Sequence, residues 1–130
     1  MRLPEHLEYM LKKMQDYFKN ASRDELIKEL IKRRRKQIMV HSCLYYRLNT
    51  SVIDDSTYDQ FGKDLQILQK VFPDLSKEVE YHEYFEYYTE TTSGFDLPIH
   101  LPEIVEAALH LKHYAEKKSK TNSKKGGNVR

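Results

Sequence analysis

The chain has 130 residues, which is enough for one domain with a core that needs no disulfide or metal staple. Its 22 basic and 20 acidic residues leave a net charge of +2, which argues against a dedicated nucleic-acid binder and leaves only local patches. A single cysteine, Cys43, excludes an internal disulfide and a cysteine-based zinc site, and it suits a reducing compartment. No apolar run reaches the roughly 18 residues of a membrane span. Residues 1–13 lack the apolar core and cleavage site of a signal peptide, so a cytoplasmic protein is expected. Aromatic residues make up 12% of the chain and ten of them are Tyr, a residue that fills a core edge while its hydroxyl finds a partner.

The spacing predicts a first helix over residues 4–20, with Pro4 in its opening turn and Leu7, Met10, Leu11 and Met14 on one face. Ser22 and Glu25 form a capping-box pattern ahead of a long second helix over 23–48. Its stripe is Ile27, Leu30, Ile31, Ile38 and Leu44. The basic run Lys32-Arg33-Arg34-Arg35-Lys36 spreads round this helix and reads first as a solvated face, second as a patch for phosphate or acidic groups. Residues 49–55 form a short polar connection, with Asp55 or Ser56 as the next N-cap. A third helix over 56–72 carries Tyr58, Phe61, Leu65 and Leu68, and Pro73 ends it. Two long helices joined so briefly must lie nearly antiparallel, which brings Tyr45 and Tyr46 close to Asp55, Tyr58 and Asp59.

Residues 74–98 are the least regular. Tyr81, Tyr84, Tyr87 and Tyr88 alternate with Glu there, in a short helix or extended loop that folds back on the hairpin or meets a partner. A last helix is expected over 101–117. Residues 118–130 are polar and basic and are expected to be a disordered tail, with at most weak nonspecific contact with nucleic acid. The whole reads as an all-α protein: a single helical domain over 1–117, a small bundle built on an antiparallel hairpin with an irregular Tyr-rich segment.

Catalytic and metal motifs are missing from the sequence. The glycines fit no phosphate loop, no His-Glu-x-x-His occurs, and His100, His110 and His113 lack a preorganised partner. His41 and His82 read as surface or hairpin residues. Cys43 and His41 are two apart, so on a helix they diverge.

The run from Ile38 to Leu75 carries a more specific pattern: Tyr45-Tyr46, Asp55, Tyr58-Asp59, then Phe61, Leu65, Leu68, Pro73 and Leu75 without a gap. It resembles the small N-terminal domain Ia of bacterial NAD-dependent DNA ligases over about residues 24–75. Asn49 stands where that family usually has a first Asp, and Ser51 replaces a common proline. The resemblance implies a helical hairpin that holds the nicotinamide mononucleotide (NMN) half of NAD through Tyr45, Tyr46, Asp55, Tyr58 and Asp59. A tyrosine face suits a cationic pyridinium ring, and carboxylates accept hydrogen bonds from ribose hydroxyls. The Lys-x-Asp-Gly nucleophile of the ligases' adenylation domain is not in this sequence, so the resemblance implies a non-catalytic module and no enzyme. Free-standing proteins with a similar stretch occur among bacteriophage and prophage genes. A second reading is therefore a phage-encoded interaction protein that inhibits a host factor, such as a CRISPR nuclease or an NAD-consuming defence enzyme. It would use Tyr81, Tyr84, Tyr87 and Tyr88 as its contact surface.

Overall fold

A computed structural model describes the backbone of residues 3–129 and the side chains of residues 3–119. The helices are α1 (Glu5–Tyr17), α2 (Arg23–Tyr46), α3 (Asp55–Val71), α4 (Pro73–Lys77), α5 (His82–Phe85) and α6 (Pro102–Val129). A 3-10 turn, Gly94–Asp96, precedes α6, and there is no strand among the described residues. The fold is the expected all-helical bundle. The tail expected over 118–130 lies largely outside the described side chains, which end at residue 119.

α2 is the axis of the bundle, with α3, α6 and α1 all packed on it. Its start follows from the sequence. Ser22 Oγ accepts the Glu25 N–H, and the Glu25 carboxylate accepts the Ser22 N–H, both at 3.2 Å. Leu30, Ile31, Ile38 and Leu44 are fully enclosed against Leu7 of α1, Leu65 and Leu68 of α3 and Ile104 of α6. Each such side chain contributes roughly 1.5–3 kcal/mol by leaving water. α2 buries far more than one stripe, because neighbours surround it on several sides.

The basic run divides: Arg33 and Lys36 are exposed, as a solvated face would have them, but Arg34 and Arg35 point inward. Arg34 Nε donates to Asp64 at 3.2 Å, and its guanidinium lies 5.2 Å from the Phe61 ring centre. Asp64 also accepts from His6 at 2.7 Å and Gln60 at 2.9 Å, which ties α1, α2 and α3 together. Arg35 is completely buried, with a relative exposure of 0%. Its five N–H bonds all find acceptors: Gln69 Oε1 twice, and the carbonyl oxygens of Ser76, Val79 and Glu80, at 2.8–3.1 Å. These carbonyls cluster at and beyond the end of α4, where a helix leaves acceptors unpaired and favours a cation. Burial pulls the Arg35 pKa down to about 10, partly offset by the charge of Glu83.

The socket fixes where the Tyr-rich segment begins. Tyr81 follows it with φ at 71°, a left-handed conformation that costs a bulky residue strain. Its buried ring and the hydrogen bond from its hydroxyl to Glu103 at 3.0 Å hold it there. Residues 82–98 then run back across the hairpin. Gly62, in mid-α3, faces the returning chain closely: a Cβ there would stand 2.6 Å from Tyr88 Oη.

Candidate functional site

The hairpin turns at Asn49, whose φ of 52° is a left-handed conformation that Asn tolerates, while the Thr50 N–H closes back on Leu44 O at 3.0 Å. The chain then enters α3 at Asp54, not Asp55 or Ser56. Asp54 Oδ1 accepts the Thr57 N–H at 2.9 Å and the Ser56 hydroxyl at 3.1 Å. Those bonds to Thr57 and Ser56 hold its carboxyl below the usual carboxylate range, so it carries a fixed charge at neutral pH.

Between the end of α2 and the start of α3 lies a cavity of about 240 Å³. Tyr45, Tyr46, Asp55 and Tyr58 line it, as the hairpin geometry requires. Asp59, the fifth expected residue, is exposed one turn along α3 and is not among the lining residues. The Tyr45 and Tyr46 rings meet edge to face, with centroids 4.8 Å apart, and remain 62% and 42% exposed. Tyr58 is set deeper. Its hydroxyl bonds Ser42 Oγ at 2.8 Å, and burial pushes its pKa up, so the phenol stays neutral.

Several lining residues were not expected. His41 and Ser42 sit on α2 one turn before the Tyr pair, so helical spacing of three and four already places them on its face. Burial pulls the His41 pKa down, leaving a neutral ring 5.9 Å from Phe61. Ser51, Ile53 and Asp54 contribute from the connection. The remaining wall is Thr92, Ser93 and Gly94, brought over by the Tyr-rich segment. That segment splits in two: Tyr81 and Tyr88 are buried in the core, while Tyr84 and Tyr87 are 43% and 88% exposed. Only the latter pair presents rings to solvent, because Tyr81 is held by Glu103 and Tyr88 packs on Phe85.

The cavity offers exposed aromatic rings, two carboxylates, hydroxyls from Ser42 and Tyr58, and a neutral imidazole. Such a set can stack a flat ring, favour positive charge on it, and accept hydrogen bonds from sugar hydroxyls. Residues 24–79 match the family described as DNA ligase-like, N-terminal NAD+-binding domain. This ligase-like unit takes in nearly all of α2 with α3 and α4 and contains the three Tyr and two Asp positions of the pattern, but it ends before the wall at residues 92–94. No curated protein and no solved structure matches the chain. Among the described residues no helix is long and apolar enough to cross a membrane, and no three His, Cys, Asp or Glu side chains converge as a metal site.

Proposed function

We propose that the protein is a non-catalytic nicotinamide-nucleotide-binding module, with the pyridinium ring and its ribose held between α2 and α3. The supporting observation is the convergence of Tyr45, Tyr46, Asp55 and Tyr58 on one cavity inside the ligase-like unit. The exposed Tyr45 and Tyr46 rings offer faces to a cationic ring. Asp55 accepts from the ribose or the carboxamide, and Tyr58 with Ser42 forms a polar floor. Asp59 contributes charge from outside the cavity. At about 240 Å³ the space falls below the ~300–1,000 Å³ of pockets for drug-sized ligands, which fits NMN or the corresponding half of NAD better than the whole dinucleotide.

Thermal shift with NAD and NMN tests this. Ligand at one hundred times its Kd stabilises the fold by about 2.7 kcal/mol. The expected result is a concentration-dependent rise in Tm with both; no rise at millimolar concentration of either rejects the proposal. A protein-contact role ranks second and rests on the exposure of Tyr84 and Tyr87. Loss of a co-purifying partner on replacing both by Ala, with nucleotide binding intact, is its expected mark.

A further inference from the structure

The wall at residues 92–94 lies outside the ligase-like unit, yet it borders the cavity beside two of that unit's hydroxyls. Gly94 is buried, and a Cβ on it would collide with Ser42 Oγ and stand 2.8 Å from Tyr58 Oη. Only a residue without a side chain lets the main chain sit there. Ser93 Oγ accepts the Phe95 N–H at 3.2 Å, which sets the turn. The Phe95 ring then meets Tyr46 edge to face at 5.7 Å and fixes the orientation of one of the two exposed rings.

The charge inside this enclosure is one-sided. Asp54 and Asp55 line it, no Lys or Arg does, and His41 is held neutral by burial. The start of α3 supplies only about half a positive charge. Asp54 already takes up the Thr57 N–H, so two carboxylates outweigh it. A cationic ring gains from this field. A phosphate on the same ligand is repelled by it.

We propose that this pocket prefers a phosphate-free pyridinium nucleoside over its 5′-phosphate, with Asp54 and Asp55 selecting against the phosphate and residues 92–95 holding the Tyr46 ring on which the nucleoside stacks. The proposal rests on the nicotinamide reading above and adds to it the preferred ligand class and the residues outside the ligase-like unit that complete its site. Gly94 and Phe95 are positioning residues: one seats the wall, the other holds Tyr46.

The test is calorimetric titration of the full chain with nicotinamide riboside, NMN and NAD at low and moderate salt. Nicotinamide riboside is expected to bind about three- to tenfold more tightly than NMN at low salt, with the gap narrowing as salt screens the carboxylates. Phe95→Ala, at a 65% exposed position, should keep the fold and weaken riboside binding by about three- to tenfold. Gly94→Ala should weaken it further, with its circular dichroism compared to wild type. Tighter binding of NMN than of the riboside at low salt overturns the preference. Riboside binding unchanged in Phe95→Ala overturns the role of the wall, whether or not Gly94→Ala folds. If none of the three ligands binds, the nicotinamide reading itself fails, an outcome distinct from both.

Discussion

Replacing Arg35 by Met tests how the pocket's far wall is held in place. The guanidinium is fully buried and gives all five of its N–H bonds to α3, α4 and the stretch after α4. Met fills much of the stem's volume but donates nothing. The Val79 carbonyl is then buried without a partner, and that of Ser76 keeps the Val79 N–H at 3.3 Å, while those at Glu80 and Gln69 lie nearer the surface and can recruit water. The stranded acceptor costs roughly 1–3 kcal/mol, and the loss of the stronger bond to Ser76 adds about 1 kcal/mol. Part of this is offset, because no cation must now be kept out of water. The expected net loss is about 2 kcal/mol, a large share of the ~5–15 kcal/mol that stabilises a domain. Urea denaturation with the linear extrapolation measures it. Because the socket anchors the chain that carries residues 92–94 to the pocket, nucleotide affinity should fall with stability. Arg35→Lys keeps the charge but loses the fork, and should fall between wild type and Arg35→Met. A loss under about 1 kcal/mol for Arg35→Met would refute the reasoning, since it would mean that those carbonyls do not depend on Arg35.

Three further expectations concern single contacts. Gly62→Ala would normally stabilise a helix by about 1 kcal/mol, but its Cβ would meet Tyr88 Oη at 2.6 Å, so a loss of about 1–3 kcal/mol is expected. Adding Tyr88→Phe should recover most of that loss in a thermal melt. Asp54→Ser retains an N-cap acceptor and should hold the Tm near wild type, whereas Asp54→Ala lowers it; both remove a pocket charge and should weaken riboside binding. His41 has a folded pKa below its ordinary 6.5, so between those two values the unfolded chain binds the extra proton. Stability is therefore unaffected by this group above pH 6.5 and falls as pH drops below it, by at most about 1.4 kcal/mol per pH unit. Urea melts from pH 7.5 to 5 should show this slope and His41→Gln should flatten it. Affinity for a cationic ligand should drop only at lower pH, as the folded imidazole gains charge around its own depressed pKa.

The hairpin was legible because its signals are local. The capping box at Ser22, the helical spacing of Leu30, Ile31 and Ile38, and Pro73 after α3 each act within a turn or two. The nearness of Tyr45, Tyr46, Asp55 and Tyr58 followed from a short connection alone. Asp59 shows the limit of that reasoning: it shares a helix with Tyr58, but the next residue along a helix faces about 100° away. Arg34 and Arg35 were not legible, because a basic run looks solvated until its acceptors are known. The acceptors of Arg35 lie 34 to 45 residues away, three of them main-chain carbonyls that carry no sequence signature. The wall at residues 92–94 was hidden for the same reason. Only the pairing of Gly94 with Ser42 and Tyr58 reveals it, and that pairing is tertiary.

The proposed function depends on the hairpin cavity holding a nicotinamide ring. Isothermal titration of NMN into the wild-type chain and into Asp55→Ala and Tyr58→Ala tests it most directly. One saturable site is expected in the wild type, with at least a tenfold weaker response in both folded variants. Equal binding by all three proteins, or heats in the wild type no different from dilution, would contradict it.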